Sequence, residues 1–180
     1  RKMQIMKLRG QTSVPGLHTF RITGDGVQTF PRTFGLSEET GHVKGRRRLS
    51  TGIAGLDEML SGGIPEGESM LLAGASGSGK STVGMQFIDE GIKRGEPGIV
   101  AVFEELPREH VHRAEMFGID FDQPQKENKL KIIYLRPLDL SVDEMLAEIL
   151  LAVRRMGATR VVIDSLSGFE IALAPTFRID

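Results

Sequence analysis

The chain has 180 residues, 39% hydrophobic and 26% charged, with a formal net charge of −1. That balance suits a globular domain with a real core, and near-neutrality offers no global field that would favour nucleic acid. The absence of cysteine excludes disulfides, thiolate metal sites and a cysteine nucleophile; no apolar run nears the roughly 20 residues that span a bilayer, so a cytoplasmic protein with no membrane association is expected.

Arg1-Lys2-Met3-Gln4 carries charge but neither the apolar core nor the cleavage site of a secretory signal. With no initiating Met and an abrupt close at Thr176-Phe177-Arg178-Ile179-Asp180, the chain reads as an internal piece of a longer protein. Residues 1–33 read as β structure. A short extended run holds Met3, Ile5, Met6 and Leu8, and two β-rich runs, 18–23 and 27–30, flank Gly24-Asp25-Gly26 as a hairpin. An isolated hairpin is marginal in water, so this one is expected to lie against something else. Residues 34–47 read as a polar linker, and Arg46-Arg47-Arg48, which runs from it into the next segment, reads as a solvated charge run, with an anionic partner or an inter-subunit contact as the alternative.

From Leu49 the texture changes to alternating helix and strand. A short helix is expected over 53–60, stopped by Gly62-Gly63 and Pro65, then an apolar strand over 69–73. Val83, Phe87, Ile88 and Ile92 form a 3.6-period face over 80–93, closed by Gly95. The continuous apolar run after Gly98 suits a strand buried on both faces of a parallel sheet. A helix over 109–117 and a strand over 131–135 follow. Ser141-Val142-Asp143-Glu144 is a capping box for a helix ending at Gly157, and 160–164 is a strand with a carboxylate at its tip. Strand–helix alternation of this kind means an α/β fold with a mostly parallel sheet and flanking helices, here preceded by the hairpin.

Gly74-Ala75-Ser76-Gly77-Ser78-Gly79-Lys80-Ser81 matches G-x-x-x-x-G-K-[ST] without a mismatch. Glycines let successive backbone N–H groups curl around phosphate oxygens where a Cβ would interfere. The helix beginning near Lys80 adds the positive end of its dipole. Lys80 is expected to reach the β- and γ-phosphates and the Ser81 hydroxyl to sit on Mg²⁺; Thr82 completes the nucleotide-binding set for ATP. Asp164, closing an apolar strand, is the expected Walker B carboxylate for the metal. Glu104 and Glu105 follow the 98–103 strand, and ligands of doubly wound sheets lie at carboxyl ends of strands, so this pair is expected to activate the attacking water. His110 and His112 point apart on one helix and are not expected to bind metal. Met59, Met70, Met85, Met116 and Met145 are expected in the core. Ser165 and Ser167 either touch the nucleotide or cap the next segment.

Arg48 to Asp57, then Gly62-Gly63-Ile64-Pro65-Glu66-Gly67, then the P-loop, resemble the opening of a KaiC-type domain of the RecA superfamily. Phe103-Glu104-Glu105 is similar to that family's paired catalytic glutamates, and Val162-Ile163-Asp164-Ser165 to its Walker B strand. Lys7-Leu8-Arg9-Gly10, His18 to Ile22 and Gly26-Val27 are similar to the closing β segment of such a domain. The resemblance implies that 1–33 is the tail of one domain, 34–47 a linker, and 48–180 the N-terminal, C-terminally truncated part of the next. It further implies an ATP-hydrolysing, Mg²⁺-dependent protein working as a homo-oligomeric, hexameric ring, with serine/threonine autokinase activity and protein signalling partners as extensions. A RecA/RadA-type DNA recombination or repair ATPase and a non-hydrolysing ATP-gated scaffold are the alternatives; near-zero net charge speaks against nucleic acid, and the intact glutamate pair against the scaffold.

Overall fold

A computed structural model describes residues 1–31 and 47–173, the side chain of Leu173 excepted. The linker expected at 34–47 lies outside the described residues apart from Arg47, as does the close at 176–180.

The N-terminal part is an antiparallel sheet of β1 (Lys2–Met3), β2 (His18–Thr23) and β3 (Gly26–Phe30), in that order. Thr23 pairs with Gly26 across the turn, as the Gly-Asp-Gly signal predicts. The extended run expected through Leu8 is shorter: only Lys2 and Met3 find ladder partners. The hairpin does lie against the rest of the chain. Arg21 binds the Glu144 carboxylate through Nε and donates from Nη2 to the Asp139 carbonyl at 2.8 Å.

Two short strands, β4 (Arg48–Leu49) and β5 (Ile64–Pro65), bracket α1 (Ala54–Met59). Gly63 (φ +113°) is required here, because a Cβ would fall 2.2 Å from the Leu49 carbonyl oxygen. The described arginines of the basic run are exposed, as a solvated run should be, and they also have protein partners. Arg47 binds Glu96, and Arg48 donates to the carbonyls of Leu60 (2.7 Å) and Gly63 (2.9 Å). Unpaired backbone acceptors in a tight turn are good partners for a guanidinium, and the turn residues around Gly62-Gly63 supply them.

The larger part is built on a parallel sheet ordered β7 (Leu130–Tyr134), β6 (Gly98–Val102), β8 (Arg160–Asp164). β6 is buried along its whole length and apolar on both faces because both faces are covered. Val100 and Val102 pack into one cluster with Met85 and Ile88 of α2 (Lys80–Lys93), Ala114 of α3 (Pro107–Met116), Ile119, Phe121 and Leu130. Ala101 and Phe103 face the other way, onto Leu135 and onto Met145 and Ile149 of α5 (Val142–Met156). Each large side chain fully buried in these clusters contributes roughly 1.5–3 kcal/mol. A short α4 (Asp122–Lys126), which periodicity does not reveal, leads into β7, and α6 (Ser167–Leu173) follows β8.

Helix ends follow their local chemistry. Pro107 opens α3 with Glu109 accepting the Leu106 N–H at 3.1 Å, so this helix starts two residues before the expected 109. Ser141 and Glu144 form the expected capping box, and Gly157 (φ +62°) ends α5.

Two expectations are corrected. Residues 69–73 form no strand: no described strand takes them as a neighbour, and Leu71 is 74% exposed. An apolar run signals a need for cover, whereas a strand also needs a ladder partner, and β8 is paired on one side only among the described residues. Of the five methionines expected in the core, Met85 and Met145 are buried; Met59, Met70 and Met116 are exposed. Met59 and Met116 sit in the last turns of α1 and α3, where the inner face runs out.

Glu144 and Asp57 carry a testable pH dependence. Burial pushes both carboxyls up, but hydrogen bonds from Ser141 and Arg21 hold Glu144, and hydrogen bonds from Ser50 and Thr51 hold Asp57, below the ordinary carboxylate value. A depressed folded pKa contributes stability that is present above the unfolded value, roughly pH 4, and lost as pH falls through the folded one. Urea midpoints should fall below about pH 4 in the parent, and the fall should be shallower in Glu144→Gln and Asp57→Asn. An identical acid limb in all three proteins would contradict this.

Candidate active site

The P-loop joins residue 73 to α2 without any side-chain cap on the helix, so the first N–H groups of α2 are left for another acceptor. Gly77 (φ +78°) and Gly79 (φ +88°) take left-handed conformations with open space where a Cβ would stand. The Lys80 ammonium folds over the loop and donates to the carbonyls of Gly74 (2.8 Å) and Ala75 (2.7 Å). An uncapped helix start, open glycine positions and an ammonium held only by carbonyls fit a phosphate chain.

α2 runs so that this loop meets the carboxyl end of the sheet. Gly91 lies against Arg160 at the start of β8, and Gly84 against Val162 at its middle. One further turn brings Lys80 to the end that carries Asp164. A side chain at Gly91 would fall 2.3 Å from Arg160 Cδ, which accounts for a glycine inside a helix.

The segment before the loop is locked by one carboxylate. Asp57 accepts from Ser50 Oγ (2.6 Å), Thr51 N–H (2.7 Å) and Thr51 Oγ1 (2.7 Å), while Gly52 turns with φ +79°. Ser50-Thr51-Gly52 and Asp57 are therefore one structural unit, a role the sequence reading did not assign to them.

Val102 pairs with Asp164, so the segment carrying Glu104 and Glu105 leaves the sheet beside the Asp164 end of β8. The hydroxyls of Ser165 (3.2 Å) and Ser167 both lie within donating distance of the Glu104 carboxylate and of each other, so that their two protons are shared among three contacts. The peptide joining Asp164 to Ser165 is cis. Asp164 is half-buried, and its carboxylate has no hydrogen-bond or ion-pair partner among the described residues, which suits a group reserved for a cation. Glu105 is engaged on both oxygens, by His110 Nδ1 at 2.6 Å and by Arg113.

His110 and His112 point apart as expected: the first is buried, the second 77% exposed in its side chain. Neither histidine is expected to bind metal, yet Glu105, His110 and Asp164 offer ligand atoms all within 4.8 Å of one another. The Arg113 guanidinium on Glu105 already neutralises that carboxylate and opposes a further cation there. His110 Nε2 is buried without a partner, at a cost of roughly 1–3 kcal/mol. Spacing alone could not have joined His110 to Glu105, because the contact depends on how the turn after β6 enters α3.

A family model described as "ATPase: KaiC" matches residues 49–179. The chain belongs to the KaiC ATPase family. Its RecA-like α/β architecture is the parallel sheet with flanking helices described above. This KaiC-family chain is 33% identical over 168 residues to the circadian clock oscillator protein KaiC of Picosynechococcus, covering 93% of the chain and 32% of that relative. It is 34% identical to the protein of the same name from Parathermosynechococcus lividus (93% and 30% covered) and 32% identical to circadian clock oscillator protein KaiC 1 of Synechocystis (93% and 32%). The chain thus spans about a third of the length of the curated relatives it matches. A match over 93% of 180 residues reaches beyond the ATPase model into the N-terminal hairpin region. No helix among the described residues is long and apolar enough to cross a membrane.

Proposed function

We propose that the chain binds ATP and hydrolyses it with Mg²⁺ at the carboxyl end of the β7-β6-β8 sheet. The observation that carries this is the convergence, at one sheet end, of an uncapped P-loop helix, an unpartnered strand-tip aspartate and a glutamate held by hydroxyls. Backbone N–H groups of 74–82, Lys80 and the α2 dipole bind the phosphates, Lys80 exchanging its carbonyl partners for phosphate oxygens. Ser81 and Asp164 would hold Mg²⁺, which supplies charge neutralisation on the phosphate oxygens when bound. Glu104 accepts the proton of the attacking water, and Glu105 supports it.

The same reading takes 1–33 as the tail of a preceding KaiC-type domain, 34–47 as a linker and 48–180 as part of the next, within a hexameric ring. What supports it is that the similarity to named KaiC proteins extends over the hairpin. A clock-type role is an extension that rests on the names of those relatives, while autokinase activity and signalling partners rest on the family resemblance; incorporation of label from γ-labelled ATP into the whole protein decides the autokinase activity.

The direct test is phosphate release from ATP by the whole protein. Turnover should require Mg²⁺ and stop in excess EDTA, and return when Mg²⁺ is restored. An absence of phosphate release in Mg²⁺ overturns the reading.

A further inference from the structure

Glu104 and Glu105 are neighbours in sequence but are held in opposite ways. Glu104 is exposed, and its partners are two serine hydroxyls, which can exchange for water or substrate. Glu105 is held through Oε1 by His110 and through Oε2 by Arg113, both one to two turns into α3. Both Glu105 oxygens are therefore committed to protein donors on α3, whereas Glu104 is open to exchange.

The histidine is not explained by packing. Its ring lies against Phe121, with centroids 6.2 Å apart and planes 11° from parallel, inside the core between α3 and the sheet. An apolar side chain would fill that space without burying an unpaired Nε2. What an apolar side chain lacks is the bond to Glu105.

We infer that His110, with Arg113, is a positioning residue that clamps Glu105 and thereby fixes the turn from β6 to α3 on which Glu104 is presented. The inference rests on the ATPase reading and adds to it a division of labour: Glu105 is the anchor, Glu104 the group that meets water. Misplacing a catalytic group by about 1 Å costs up to about 100-fold in rate.

The test uses the whole protein, with kcat and KM for ATP and a thermal midpoint for each variant. His110→Leu keeps the packing against Phe121 and removes the donor; kcat should fall roughly 10- to 100-fold with KM changed less than about threefold. His110→Asn puts an amide N–H near the place of Nδ1 and should recover most of that loss. Arg113→Ala, at a side chain 45% exposed, removes the second clamp without threatening the fold and should lower kcat roughly three- to tenfold. In a Glu105→Gln background, His110→Leu should cause little further loss, because its effect runs through Glu105. Undiminished kcat in His110→Leu and Arg113→Ala, or full additivity with Glu105→Gln, overturns the inference while leaving ATP hydrolysis standing. A parent protein that releases no phosphate instead overturns the reading beneath it.

Discussion

On the proposed reading, Glu104→Gln should lower ATP turnover about 10²- to 10⁴-fold while leaving nucleotide affinity within about threefold of the parent. Glutamine has the shape of glutamate and still accepts a bond from Ser165 or Ser167 through its carbonyl, so the turn after β6 survives. What it cannot do is take a proton from water. Lys80→Ala should separate from it cleanly: it removes the ammonium that on this reading would pair with the phosphates, and ATP binding should weaken roughly 100-fold or more. Glu105→Gln should fall between these in kind, losing rate through position and less of it than Glu104→Gln. Stopped-assay phosphate release together with binding of a fluorescent ATP analogue measures both quantities. Turnover in Glu104→Gln equal to the parent's would remove Glu104 from the chemistry, and a loss of binding equal to that of Lys80→Ala would assign it to the phosphate site instead.

Much of this site is legible along the chain because its parts are local. A P-loop needs a glycine pattern and a helix start within eight residues, and both are written consecutively from Gly74 to Ser81. The capping box at Ser141 and the left-handed Gly157 fix α5 just as locally. The alternation of Val100 and Val102 against Ala101 and Phe103 gives a strand covered on both faces, hence the parallel sheet. Contacts that close over long sequence distances are a different matter. The Arg21–Glu144 pair spans 123 residues, and nothing near either residue announces the other. The segment at 69–73 has strand composition, but composition specifies hydrophobic cover and leaves the ladder partner open. The arginines at 47 and 48 are exposed as their charge suggests, but charge alone does not announce their partners, one buried carboxylate and two turn carbonyls.

Another long-range closure, at Arg160, carries the largest expected effect on stability. Arg160 is completely buried in its side chain. Its Nε donates to Glu96 at 2.7 Å, its Nη1 to the carbonyls of Ser50 (2.7 Å) and Phe87 (2.8 Å), and its guanidinium carbon lies 4.5 Å from the Phe87 ring centroid. Nη2 is also 2.7 Å from the Glu96 carboxylate, an ion-pair distance reached off the hydrogen-bond direction. This one side chain ties the start of β8 to α2 and to the Ser50 segment that Asp57 locks. Removing only the carboxylate leaves a desolvated cation, so Glu96→Ala should destabilise by about 3–5 kcal/mol. For a domain of this size that is a fall of roughly 6–20 °C in the thermal midpoint. Replacing both partners with apolar groups of similar volume, as in Glu96→Leu with Arg160→Met, should recover much of the loss, because neither charge is then stranded. Arg47, on the same carboxylate but 58% exposed in its side chain, is the control: Arg47→Ala should cost no more than about 1 kcal/mol. If Glu96→Ala melts with the parent, or if the double replacement falls as far as the sum of its singles, Arg160 is not held by that pair. The carbonyls and Phe87 would then be sufficient to keep the guanidinium buried.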